Sequence, residues 1–353
     1  MAHRSFATAK WIVDPIVGAG THTTIASALT SASSGQTIFI RPGTYTEDLT
    51  LKAGVNLTTF NSESYFNGQV TILGNLTATF TGSCSISGIC LQTNSAAFLT
   101  ISGTNATLVN LLNCQFIAGT SAITFSSSNS SSSLVINNCM GNITTTGVAF
   151  FTMTSPGGLT ILYSRLTNSG ASTTPATTSA GTCNFQYTEF DFPITTSSNS
   201  FIGSKNCNYN TSATNTVTLI IGGSGSNNSN DDFISSGSAS AISIGSSLVL
   251  SDAIINSTNT NSITGAGSVT YSPISFQGSS VAINPTTSTP AAIGPRILVS
   301  GGCQILSGSG SPNTVVTAPK GSLFLRTDGT TLNDRAFINT NGSTAWTGIV
   351  TVA

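Results

Sequence analysis

Five stretches decide the fold when set beneath one another: SISGICL (85–91), NLLNCQF (110–116), VINNCMG (135–141), TILYSRL (160–166) and NFQYTEF (184–190). Ile86, Leu111, Ile136, Ile161 and Phe185 then share a column, spaced 25, 25, 25 and 24 residues. Three residues on stands a column of mostly small side chains, Ile89, Cys114, Cys139, Ser164 and Thr188, and two further on Leu91, Phe116, Gly141, Leu166 and Phe190. Between these lie FLTI (98–101), AITF (122–125) and AFFTM (149–153), at nearly the same spacing, separated by polar turns such as SSSNSSSS (126–133). Helical periodicity is absent over this repeating stretch. A period of this length means units that bury a core only by stacking. Three short strands in each ~25-residue unit predict an all-β chain wound as a single-stranded parallel β-helix. From 36 to 282 there is room for about ten coils, a rod on the order of 50 Å long.

The composition agrees with such a stack. The 353 residues carry 10 Lys or Arg against 11 Asp or Glu, which is 6% charged, with 55 Ser, 56 Thr and 30 Asn; ~25% charged is usual. Coils repeat every ~4.8 Å, so like charges in register would repel along the rod, whereas Ser, Thr and Asn bond to one another. A net charge of −1 leaves no basic field for phosphates, which excludes sequence-independent nucleic-acid binding. Apolar runs of four to six residues fall far short of the ~20 of a membrane helix, so no membrane insertion is expected. The first residues, MAHRSFATAKWIVDP, have no apolar stretch or cleavage site of a Sec signal. Seven cysteines in a long chain do not make a disulfide framework, and no CxxC or Cys/His spacing suggests zinc. Cys114 and Cys139, in an inward column, read as small hydrophobes.

The two ends carry resemblances. In 21–57, Thr23 or Thr24 can N-cap a short helix with Ile25, Ala28 and Leu29 on its apolar face, ended by Gly35 and followed by TIFIRPGTY. This segment closely resembles the N-terminal cap of the pectin-lyase-like superfamily of right-handed β-helices, in its helix, its G-x-T-I-x-I-R-P-G-T-Y strand and its L-x-L-K-x-G-V-x-L strand. The resemblance implies a right-handed helix with a cap and is nearly silent on function, because enzymes and inert spikes share the fold. Five prolines between Pro285 and Pro319 mark 283–318 as a connector that leaves the coils. Then 319–351 reads as three alternating strands, SLFLRT, RAFINT and AWTGIVT, joined by DGTT and NGST turns. Three short strands cannot bury a core alone, so the module is expected to trimerise. Gly321, Ser322, Leu323, Phe324, Arg326, Asp328, Gly329, Trp346 and Thr347 resemble an element at the ends of phage and other virion surface proteins. The expected organisation is a 1–20 attachment or capping segment, a 21–282 β-helix with its cap, a 283–318 connector and a 319–353 β module.

Pectin-lyase-like enzymes act on polysaccharides with acidic residues and an Arg or Lys on an outward strand face, which directs attention to Glu189, Asp191 and Arg165. Glu189 and Asp191 flank inward Phe190, so both point outward about 6.5–7 Å apart, within the range of an inverting carboxylate pair. Arg165 lies one coil earlier in the column of Glu189. Two readings result: an acid–base pair that cleaves a glycan, or a cross-coil ion pair with a solvated Asp191. Asp231 and Asp232, after GGSGSNNSN (222–230), read as a polar turn, with a cation or sugar loop as the alternative; Glu47 and Asp48 read as solvated charges of the cap. His3 and His22 stand far from these acids, and no triad, phosphate loop or metal cluster emerges. No cofactor and no metal are expected.

The reading that fits best is a non-enzymatic virion appendage: a homotrimeric tail spike, fibre or capsid decoration that attaches to other virion proteins through its N-terminal segment. Its expected place is the virion surface, with host surface polysaccharide as candidate receptor. One alternative is a tailspike-like polysaccharide depolymerase using Glu189 and Asp191. Another is a bacterial surface or filament-forming β-helix.

Overall fold

The computed structural model describes residues 11–60, 70–93, 97–118, 122–144, 149–168, 176–211, 219–221, 225–235, 241–245, 247–257, 263–265, 268–271, 275–277, 283–285, 297–298 and 303–350. The chain forms two compact units, Met1–Ser262 with Gly267–Val281, and Ile263–Ala266 with Ala282–Ala353. His3 and the rest of 1–10 lie outside the described residues.

The first unit is a right-handed parallel β-helix whose coils each contribute three strands. One coil runs Leu99–Ile101, Thr107–Leu112 and Gln115–Ala118; the next runs Ile123–Phe125, Ser133–Asn137 and Met140–Ile143. Every strand pairs in parallel with its counterparts one coil away, and the face holding Gln115–Ala118 stacks eleven strands, from Gly43–Thr46 to Ser275–Gln277. The register repeats the sequence columns: Ile86 pairs with Leu111, Leu111 with Ile136, Ile136 with Ile161 and Ile161 with Phe185. All five are fully buried.

The third column, Leu91, Phe116, Gly141, Leu166 and Phe190, is buried too, and its one small member is filled from elsewhere. A Cβ on Gly141 would lie 2.3 Å from Cζ of Phe150, so the missing side chain makes room for that ring. The column continues as an aromatic stack, Phe190 to Tyr209 at 5.3 Å and Tyr209 to Phe233 at 4.9 Å.

The 25-residue period shortens to 19 between Thr188 and Cys207 for a local reason. Asp191 leads through Phe192 and Pro193 straight into the 12-residue strand Ile194–Lys205. That strand runs along two faces without a loop, paired with the 11-residue strand Ala176–Gln186 and shifting register between Thr178 and Ala180. The coil loses its polar loops and keeps its ladders.

Threonine abundance also has a structural reading. Thr50, Thr77, Thr100, Thr124, Thr152, Thr177 and Thr195 pair in succession as one outward rank. A β-branched side chain suits a strand, and an uncharged hydroxyl stacks at the coil repeat without repulsion.

The N-terminal end closes as the cap resemblance implies. The helix spans Ile25–Ser31, with Thr24 as N-cap accepting from the Ser27 N–H and Ile25, Ala28 and Leu29 buried. It ends at Ala32 rather than at Gly35, whose φ of +85° serves the turn into Thr37–Ile40. Trp11–Val13 adds a first strand in parallel with Ile38–Ile40. Glu47 is not a free solvated charge: its carboxylate accepts from the Ile25 and Ala26 N–H groups, both at 2.9 Å, where a helix start favours an anion. Lys52 Nζ donates to Ala32 O at 2.6 Å at the other end, and Asp48 Oδ1 accepts from the Asn75 N–H at 2.9 Å. The first turn and the carbonyl end of one short helix thus hold two of the chain's few charges.

The second unit contains a five-stranded sheet. The three expected strands are Leu323–Arg326, Ala336–Asn339 and Trp346–Ile349, antiparallel in sequence. Gln304–Gly308 joins them in parallel with Leu323–Arg326, and Ile297–Leu298 joins Gln304–Gly308. Leu306, Val316 and Ala318 then complete a buried cluster with Phe324, Phe337 and Trp346. The Trp346 indole N–H donates to Val316 O at 2.7 Å. Part of the stretch expected as a connector belongs to this module, and with it the module has a small core of its own. Arg326 holds Asp328 at 2.9 Å and Asp334 at 3.6 Å; the guanidinium bond pulls the Asp328 carboxyl down to about 2.

Candidate functional site

Each coil turns from its second strand to its third through two residues, and that turn builds the site. The first of the two sits in the left-handed region: Asn113, Asn138, Tyr163, Tyr187, Asn206, Asn230 and Asp252 have φ between 49° and 55°, and Gly88 has 72°. Asn, Asp and Gly tolerate this conformation; a tyrosine there is uncommon. The second residue points inward, which makes the small column Cys114, Cys139, Ser164, Thr188, Cys207, Asp231 and Ala253 buried throughout.

The outer column is a ladder of side chains along one edge of the rod. Asn138 Nδ2 donates to Asn113 Oδ1 at 2.8 Å. The ladder then changes character. Tyr163 and Tyr187 stack with centroids 5.1 Å apart and planes within 7°, and they remain 57% and 49% exposed. Next to them Arg165 Nε meets Glu189 Oε2 at 2.9 Å across the coils, with side chains 57% and 37% exposed. Cys139, Met140, Tyr163, Ser164, Arg165, Tyr187 and Glu189 line a shallow, open recess.

Of the three residues singled out from the sequence, the structure joins two. Arg165 and Glu189 pair in register on neighbouring strands, and Asp191 lies two residues on, beside Thr167 of the preceding coil. Phe190 between the two acids is fully buried, so both project to the same face. This face is open. The Glu189 carboxylate is already bonded by the guanidinium.

Asp231 corrects the sequence reading. It is not part of a solvated turn but fully buried in the inward column, following the strand Gly225–Ser229. Its Oδ1 accepts from the Cys207 N–H at 2.8 Å and its Oδ2 from the Ser204 hydroxyl at 2.5 Å, while the Asn228 amide donates to Ser204 Oγ. Ser204 and Asn228 occupy the column of Phe185, so two coils have a polar patch inside an apolar core. Burial pushes the Asp231 carboxyl up to about 6, against the pull of these bonds. Asp232 begins the next strand and faces outward. The sign that could have exposed this network is polar spacing: Ser204, Asn228 and Asp231 fall where earlier coils place Phe185 and Thr188.

The cysteine expectation concerns burial, and six of the seven are buried. Burial pushes the Cys84, Cys183 and Cys207 thiols up to about 12, which keeps them protonated. Among the described residues no group of three His, Cys, Asp or Glu is placed to hold a metal ion. His22 bonds Thr21 and Ser31 hydroxyls at 3.1 Å and packs edge-on against Trp11 at 5.2 Å, within the cap.

The architecture is that of a parallel β-helix, three strands to a coil. No protein-family description and no curated protein matches the chain. Solved structures do resemble it. A pectin methylesterase from Aspergillus niger shares 14% identity over 81% of this chain and 91% of its own, with a TM-score of 0.39. PfbA, a surface adhesin of Streptococcus pneumoniae, shares 12% over 78% and 94%, with a TM-score of 0.33. The ORF18 protein of Geobacillus virus E2 shares 12% over 93% and 73%, with a TM-score of 0.30. An esterase, an adhesin and a phage protein on related folds transfer no activity to this chain.

Proposed function

We propose that the chain is a non-enzymatic structural appendage of a virion, a spike, fibre or capsid decoration that assembles as a homotrimer and meets host surface polysaccharide. The observation that carries this reading is the Arg165–Glu189 bond at 2.9 Å on an open face, which commits the acid best placed for glycan cleavage to joining two coils. Other charges serve the same end: Asp14 holds Arg41 at 3.2 Å, and Glu47 and Lys52 bracket the cap helix. A chain with so few charges that spends them on cohesion is suited to length and durability.

The trimer is supported by the C-terminal module. It buries one set of apolar side chains yet leaves Leu325, Ile338 and Ile349 between 36% and 43% exposed on its sheet, a surface suited to association between copies. Attachment through the N-terminal segment is supported by Ile16 and Val17, 69% and 87% exposed beside the first coil. Light scattering on the purified chain tests the assembly. A mass of three times 35.8 kDa is expected; a monomer would overturn the reading, and polymers of indefinite size would move it to a filament.

A further inference from the structure

Tyr163 and Tyr187 interrupt a ladder made otherwise of Asn, Asp and Gly, at backbone positions that disfavour them. Stacking covers one face of each ring. The neighbouring members of the column are Asn138 on the coil before Tyr163 and Asn206 on the coil after Tyr187. An Asn side chain is far shorter than a phenol, so the pair stands out as a two-ring fin above amide steps. Arg165 and Glu189 flank it, bonded to each other.

We propose that this fin is a saccharide-binding site that takes neutral pyranose units. A flat apolar ring face bordered by amide donors and acceptors matches the C–H face and equatorial hydroxyls of such a sugar. The sugar stacks on the outer face of a tyrosine and bonds to the Asn step beneath it. Glu189 engages the Arg165 guanidinium, which leaves the ring faces and the amide steps as the groups that meet the sugar; Lys205 is exposed on the neighbouring coil. The inference deepens the appendage reading by naming the surface that meets host polysaccharide, and it rests on that reading only for the origin of the sugar.

The ladder itself supplies the variant. Tyr163→Asn with Tyr187→Asn removes both rings and restores the residue that Asn113 and Asn138 carry at the same φ, so the coils are expected to fold as before. Wild-type and double-variant chains are applied to a printed array of neutral, amino and uronic-acid oligosaccharides, with thermal midpoints recorded in parallel. Wild type is expected to bind neutral members, and the variant to bind them about tenfold or more weakly at an unchanged or higher midpoint. Undiminished binding by the variant, preference for uronic acids, or no binding by wild type overturns the site. The appendage reading fails separately, through a monomeric mass or glycan cleavage.

Discussion

Replacing Asp231 by Asn is expected to remove a pH dependence from the stability of the rod. The carboxyl is fully buried, with no cation among its described partners, and its pKa rises from 3.8 to about 6 on folding. The folded state therefore favours the protonated form. The sign follows: the contribution is fully present below pH 4, is lost as pH rises through about 6, and is flat beyond. At 1.36 kcal/mol per pKa unit the loss is about 3 kcal/mol. For a chain of this size that corresponds to about 4 °C in the thermal midpoint. The amide introduced by Asp231→Asn would keep a carbonyl oxygen for the Cys207 N–H and present an NH₂ group to Ser204. Two titratable groups beside this site do not share its window: the Cys207 thiol is raised to about 12, and the Tyr209 hydroxyl is raised well above its ordinary value by burial. The assay is circular dichroism melting of both chains from pH 4 to pH 8. Wild type should lose about 4 °C relative to the variant as pH rises. Parallel curves would refute the buried carboxylate as the cause.

Further outcomes follow from packing and capping. Gly141→Ala should cost roughly 1–3 kcal/mol, read by denaturant unfolding, because its Cβ would overlap Phe150. Glu47→Ala should cost about 1 kcal/mol by the same assay, because two helix-start N–H groups lose their acceptor. Brief treatment of the native chain with a thiol reagent should label Cys303 first, the one cysteine not buried, and all seven should label after unfolding; mass spectrometry counts them.

The stacking register was legible because a coil repeats its inward positions in sequence, so Ile86, Leu111, Ile136, Ile161 and Phe185 reveal their pairing by spacing alone. The cap helix was legible for a similar reason, through Thr24 and the apolar set Ile25, Ala28 and Leu29. Other features depend on what meets across coils. Glu47 reaches a helix start some twenty residues away, and nothing local distinguishes it from a solvated acid. Asp231 reads as part of a polar run because its neighbours are polar, yet its place in the column of Cys114 and Thr188 puts it inside. The fin was present as a signal: the residue before each member of the small column is Gly, Asn, Asn, Tyr and Tyr. Its meaning required knowing that this position is left-handed and points outward. The C-terminal module was only partly legible, since Leu306 and Val316 join its core from within a proline-rich stretch.

Cleavage is the property that most directly separates an appendage from an enzyme on this fold. Reducing-end release should be measured from the polysaccharide that the chain binds, with wild type and with Glu189→Gln. The account predicts binding by both and no release by either. Release by wild type that disappears in Glu189→Gln would contradict it.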